Sequence, residues 1–196
     1  MLVSEALAAD HKYLDECYEN LKAAPTTDDK IKWRNMLVWN LARHAISEEL
    51  TVYPAMEKWL GEEGKALTKT DFEQHQAVKE DLYTLQSLSP ADPKFAPLLE
   101  QLMHDLHTHI EHEKNEDMPR LEAKLSREES EKIAKSFMRT KQFVPTKSHP
   151  GAPTSSHLAE GLAGLLAAPV DKLRTMMESF PDEATKSAEV DWKSLL

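Results

Sequence analysis

With 196 residues, five glycines and only 7% aromatics, the chain is long enough to bury a core and has the composition of a helical domain with some length to spare. A formal net charge of −10 argues against a nucleic-acid partner, which needs clustered cations, and the most apolar run, residues 158–170, is too short to span a membrane. The single cysteine, Cys17, excludes internal disulfides, and MLVSEALAAD at the N-terminus lacks the basic start of a secretory signal, so a cytoplasmic protein is expected.

Helix punctuation divides the chain clearly. Ser4 is placed to cap a first helix that runs to about Ala23 and is closed by Pro25. Thr26 or Thr27 opens a second, with Asp28 and Asp29 in its first turn, reaching Leu60 before GEEG. Thr70 and Glu73 form a capping-box pattern for a third helix, ending near Leu88. Asp92-Pro93 starts a fourth that reaches Leu125, and Ser126 with Glu129 caps a shorter fifth over 126–140. Residues 141–157 hold three prolines among serines and threonines and read as an extended connector. The segment 158–196 reads as apolar helices that pack on the bundle or on a partner, and as a cover over one end of the bundle it would limit solvent access.

Four long helices with short links, over residues 1–125, predict an all-α, up-down-up-down four-helix bundle with appended C-terminal helices. The apolar stripes at three- and four-residue steps are Leu7, His11, Leu14, Tyr18 and Leu21; Leu37, Leu41, His44, Glu48, Val52, Ala55 and Trp59; Phe72, His75, Val78, Leu82 and Leu85; and Leu99, Leu102, Leu106, His109 and Glu113. Each stripe holds one histidine, and two also hold a glutamate. One histidine in such a stripe is more often a hydrogen-bonded core residue than a ligand. Two buried glutamates with four histidines, and no lysine or arginine in the same stripes, make a costly core unless a cation binds them.

The constellation is also repeated. HAISEELTVYPAME (44–57) overlies HIEHEKNEDMPRLE (109–122), and DHKYLDECYENL (10–21) overlies QHQAVKEDLYTL (74–85). A His and a Glu four apart share one helical face. Two similar hairpins therefore each present a lone histidine and a His-x-x-x-Glu pair. His107/Glu111 and His112/Glu116 have the same spacing but continue a polar face. His104, His107, His112, His149 and His157 read as solvated, with an ancillary role open for His112. Glu49 and Glu116 read as surface or supporting acids. Pro54 and Pro119, at matching places in the repeat, predict two symmetric kinks.

This H…HxxxE…H…HxxxE pattern resembles the hemerythrin-like HHE cation-binding domains over roughly residues 4–125, and SFMRTKQFVPTKSHPGAP leading into GLLAAPVDKL is similar to the C-terminal part of fungal members. The resemblance implies a bundle around two non-haem iron ions joined by an oxo or hydroxo bridge. His11 and His44 would serve one ion, His75 and His109 the other, and Glu48 and Glu113 would bridge them. Imidazole with carboxylate also suits zinc or manganese. The family's oxygen carriers use a second histidine one turn from the third, but here the positions four before and after His75 are Asp71 and Lys79. Roughly two coordination positions then stay open on six-coordinate geometry. That favours redox chemistry with dioxygen, peroxide or a small organic substrate, as in a di-iron oxidoreductase, over reversible oxygen carriage. The alternative is an oxygen- or iron-binding, sensing or storage module without turnover. Tyr18 and Tyr53 lie near the site in sequence terms and are expected to pack rather than react. A monomer or a dimer fits equally.

Overall fold

The computed structural model describes residues 1–144 and 179–181, and within them all regular structure is helical. Helix α1 spans Val3–Ala23, α2 Thr27–Leu60, α3 Glu62–Leu85 and α4 Phe95–His112. A π-helical turn, Glu113–Asp117, leads into the short α5, Met118–Glu122, and α6 spans Arg127–Thr140. The expected connector and C-terminal segment, 141–157 and 158–196, lie outside the described residues apart from 141–144 and 179–181.

The up-down-up-down course is written in two apolar clusters with a polar layer between them. One cluster gathers Leu14, Leu21, Leu37, Leu41, Val78, Leu82, Leu102 and Leu106, and the other Leu7, Val52, Met56, Leu67, Met118 and Leu121. Along α1 the order is Leu7, His11, Leu14. Along α2 it is Leu41, His44, Glu48, Val52, the reverse direction, and α3 and α4 repeat the alternation. Full burial of each of these aliphatic side chains stabilises the fold by about 1.5–3 kcal/mol, so the two clusters flank and rigidify the polar layer. His107 Nε2 on α4, 2.7 Å from Asp15 Oδ1 on α1, helps to join the first and fourth helices.

Helix boundaries depart from the local signals where distant groups take over. Ser4 does not cap α1. Its amide and hydroxyl both donate to Glu122 Oε1, at 3.2 and 2.9 Å, while Val3 N donates to Ser130 Oγ at 2.9 Å. Tertiary partners thus satisfy the helix-end donors. Thr26 caps α2 as expected, accepting from Asp29 N at 3.1 Å. Helix α3 begins at Glu62, not near Thr70, which lies inside it. Gly61, with φ of 62°, turns the chain in a single residue, and Glu62 and Glu63 fill the first turn, where the helix dipole favours acids. GEEG is therefore a corner rather than a loop. Asp92 and Pro93 do not open the fourth helix: α4 starts at Phe95 after Lys94, with no side-chain cap, and Asp92 Oδ1 instead accepts from Lys94 N at 2.8 Å in the turn before it.

The corner is tight. A Cβ on Gly64 would lie 2.2 Å from the Met56 carbonyl oxygen of α2. Gly64→Ala is expected to destabilise the metal-free chain by about 1–3 kcal/mol through overpacking, read as a lower urea midpoint with an unchanged slope.

The continuous fourth helix expected to Leu125 is broken at the π-turn. Pro119 has no N–H to offer the carbonyl four residues back, and the wider turn accommodates that loss. Helix α2 runs through Pro54 without such a break. The two prolines thus differ in local hydrogen bonding, with a π-turn only before Pro119.

Helix α6 docks on α1 and α2. Its capping box is as read: Ser126 Oγ accepts from Glu129 N at 3.3 Å, and Ser126 N donates to Glu129 Oε2 at 2.8 Å. Phe137, fully buried, meets the His44 ring edge-on with centroids 5.7 Å apart. Farther along the chain, Phe180 packs on Trp39 and Asn35 Nδ2 donates to the Ser179 carbonyl at 3.1 Å. Ser179 and Phe180 thus lie against α2. No described helix is long and apolar enough to cross a membrane.

Candidate metal centre

All six residues read from the sequence are buried in the polar layer. His11 comes from α1, His44 and Glu48 from α2, His75 from α3, His109 from α4, and Glu113 from the first position of the π-turn. They meet as two similar halves. His11 Nε2 lies 3.1 Å from His44 Nε2, and His75 Nε2 lies 3.0 Å from His109 Nε2. The ring pairs have interplanar angles of 70° and 66°. Glu48 faces both halves, with Oε1 3.0 Å from His44 Nε2 and Oε2 3.4 Å from His75 Nε2. Glu113 Oε2 is 3.4 Å from His11 Nε2. Two groups, His11–His44–Glu48 and Glu48–His75–His109, each hold ligand atoms within 4.8 Å of one another.

The outer nitrogens explain why a cation fits. His44 Nδ1 is 3.1 Å from Asp10 Oδ2, His75 Nδ1 is 2.8 Å from Glu49 Oε1, and His109 Nδ1 is 3.0 Å from Gln74 Oε1. Each of these oxygens accepts, so each Nδ1 carries the proton and each neutral ring presents a bare Nε2 lone pair inward. Two lone pairs 3.0 Å apart, beside carboxylate oxygens of Glu48 and Glu113 that meet no hydrogen-bond donor, repel unless a positive charge stands between them. In the metal-free chain a proton takes that place. Burial disfavours charge on His75, but bonds to Glu48 and Glu49 outweigh it and raise its pKa to about 9. Burial, with His44 alongside, pushes His11 down to about 3. Burial raises Glu113 well above the carboxylate range, and Glu48 reinforces this, whereas His44 and His75 overcome burial at Glu48 and hold it low. The donor set contains imidazole and carboxylate without thiolate: Cys17 is in the apolar cluster, and burial pushes its thiol up to about 12. That chemistry suits iron, manganese or zinc.

The supports of these histidines reach them across helix boundaries, and of them only Glu49 is suggested by the sequence, as a surface or supporting acid. Asp10 is held by Lys141, at the end of α6, and Glu49 by Lys79, whose Nζ lies 2.8 Å from Glu49 Oε2. The halves therefore share a plan of imidazole, carboxylate and buried ammonium. Of the two readings of Glu49, the supporting acid holds: it is fully buried beside His75, and Lys79, one turn beyond His75, is buried with it. Two glutamates in succession at 48 and 49, with a lysine four residues after a candidate ligand, were the available signal. Tyr53 is also closer than expected, with its hydroxyl 3.1 Å from His75 Nε2, while Tyr18 packs on the apolar cluster. Asp71 lies on the outer side of His109, its Oδ1 3.9 Å from Nδ1, so it does not replace the missing fifth histidine. His112 is only 25% exposed and faces Asp71 and Asp117. His104 and His107 are exposed as expected, and His149 and His157 lie outside the described residues.

Lys79→Met is expected to lower the stability of the metal-free chain by about 3 kcal/mol, since it takes the ammonium from a buried carboxylate. Urea unfolding with EDTA present measures it, and a change under about 1 kcal/mol, on the order of a surface pair, would count against the arrangement.

The sequence model of the hemerythrin HHE cation binding domain matches residues 2–121. The chain belongs to that family. Hemerythrin-like domains of this family bind metal cations, and the clusters just described are groups that could hold such an ion. The chain is 50% identical over 179 residues to an uncharacterized hemerythrin-like protein of Schizosaccharomyces pombe, covering 91% of this chain and 88% of that protein. It is also 22% identical over 144 residues to a DNA nickase of Nostoc, covering 74% of this chain and 40% of the nickase. No solved structure is significantly similar.

Proposed function

We propose that the hemerythrin-like domain holds two non-haem iron ions and uses them for redox or oxygen-dependent chemistry with dioxygen or peroxide. The observation that carries this reading is Glu48, one buried carboxylate whose two oxygens face two separate histidine pairs and meet no other donor. His11 and His44 would hold one ion, His75 and His109 the second, and Glu48 and Glu113 would bridge. Bound iron supplies electron exchange with dioxygen or peroxide, together with coordination positions the protein leaves free. The chain's residues do the rest. Asp10 and Glu49 fix the ring orientation of His44 and His75. The Lys141 and Lys79 ammonium groups pair with those carboxylates, and Phe137 and the apolar clusters exclude water.

Tyr53 places a hydroxyl on the inner side of the layer, where it is able to donate a hydrogen bond to a small oxygen species. Four imidazoles face the centre, and among the described residues no fifth joins them, which supports open positions and reactivity over carriage alone. The likeness to the nickase covers a minor part of that protein, and the net charge of −10 gives no ground for carrying nicking over. Anaerobically reduced, iron-loaded protein given peroxide and an excess of reductant tests the proposal. Peroxide consumption well beyond the iron present, lost in Glu48→Ala, is expected. Uptake that stops at the iron content would favour the binding, sensing or storage module.

A further inference from the structure

A second set of buried acids lies outside the central layer. Asp71 on α3, His112 at the end of α4 and Asp117 at the end of the π-turn hold ligand atoms within 4.8 Å of one another. His112 Nδ1 is 3.2 Å from Asp117 Oδ2 and 3.6 Å from Asp71 Oδ1. Both carboxylates are at most 1% exposed, and all four of their oxygens lack a hydrogen-bond donor. Arg120, whose charge is felt at Asp117, is engaged by Glu116 at 2.8 Å and Glu63 at 3.5 Å.

Two buried carboxylates this close stand together only when a proton or a cation lies between them, and a cation that displaces the proton satisfies both. The local backbone shows that the meeting is built. Residues five apart on an α-helix point about 140° away from each other, at about 100° per residue, so His112 and Asp117 would diverge on a regular helix. The π-turn over Glu113–Asp117 removes that divergence and turns Asp117 inward, where it is fully buried.

We propose that Asp71, His112 and Asp117 form a separate mononuclear site for a divalent cation, on the outer flank of His109. Two carboxylates and one imidazole, with no thiolate, make a set for Mn2+, Fe2+ or Zn2+. Separations up to 4.8 Å are within reach of one ion with bonds of about 2.0–2.2 Å after small side-chain shifts. His112 is the partly exposed member, so the ion enters from solvent on its side and keeps water in the remaining positions. None of these three groups belongs to the two central clusters, and the site stands whether or not the central ions are iron.

Mn2+ alone, titrated into iron-loaded full-length protein while the free-Mn2+ paramagnetic resonance signal is followed, tests the proposal. The wild-type chain is expected to take up one further equivalent. Asp117→Asn and His112→Asn are each expected to weaken that uptake by at least about tenfold, while Glu48→Ala, with its central layer disrupted, retains it. The amide introduced by Asp117→Asn is able to donate to Asp71, so this variant should unfold at a temperature no lower than wild type without metal. Should it fail to fold, the partly exposed His112→Asn gives the same reading. No uptake by wild type, or equal uptake by wild type and His112→Asn, overturns the proposal. Wild-type protein that holds no central iron yet takes up one Mn2+ would refute the di-iron reading and leave this site in place.

Discussion

Glu48→Ala is expected to remove metal from both halves of the centre at once, weakening binding at each by at least about 100-fold, beyond what loss of an outer-shell partner alone costs. The reason is geometric, since one oxygen faces His44 and the other His75. His11→Ala, by contrast, should weaken chiefly the half it shares with His44. The fold should respond in the opposite sense. With metal absent, His44 and Glu48 are buried polar groups in a layer between two apolar clusters. Replacing both by leucine is expected to stabilise the metal-free chain by about 1–4 kcal/mol, as replacement of buried ion pairs by apolar residues often does. Metal analysis and urea unfolding of the same variants measure both effects. A double-leucine variant that loses stability without metal, or a Glu48→Ala chain that keeps metal in one half, would contradict the shared-carboxylate account.

Between pH 6.5 and 9 the metal-free chain is expected to lose thermal stability while the metal-loaded chain holds or gains it. His75 is raised from 6.5 to about 9, so its contribution is complete below 6.5 and lost as the pH rises through 9. Asp71, raised from 3.8 to about 8 by burial and then by Asp117, also keeps in the folded chain a proton that the unfolded chain releases. That contribution too disappears as the pH rises through 8. His11, lowered to about 3, acts the other way, but its gain is complete once the pH exceeds 6.5. Above 6.5 these losses have no counterweight from His11, and each extra folded-state proton contributes a slope of up to about 1.4 kcal/mol per pH unit. Metal requires bare imidazole and ionised carboxylate, so its binding strengthens over the same range. Melting curves with EDTA and with metal should therefore diverge as pH rises. Parallel curves would mean that these protons and the metal do not compete for the same atoms.

The bundle and its central histidines were legible because both follow from periodicity. His11, His44, Glu48, His75, His109 and Glu113 sit at core steps of stripes whose aliphatic members are buried almost throughout. What escaped was set by contacts between helices. Asp10 and Lys141 are 131 residues apart and carry no local signal of pairing, yet they meet behind His44. Thr70 and Glu73 make a plausible capping box, but a one-residue corner at Gly61 and buried Leu67 extend the helix past it. Asp117 stands five residues from His112, a spacing that signals nothing on an α-helix and acquires meaning only once Pro119 is seen to follow a π-turn. Pro54 and Pro119 look equivalent in the repeat, and only the second is accompanied by a break. The internal duplication therefore predicts the buried polar layer better than it predicts the backbone around it.

Metal analysis of the purified full-length protein, with its near-ultraviolet absorption recorded before and after anaerobic reduction and re-exposure to air, tests the central claim most directly. Two irons per chain in the central layer, with an absorption band that bleaches on reduction and returns in air, is the result expected of a coupled pair sharing Glu48. Protein that carries no metal and takes none up from ferrous solution would contradict it, leaving six buried polar side chains without the cation their geometry calls for.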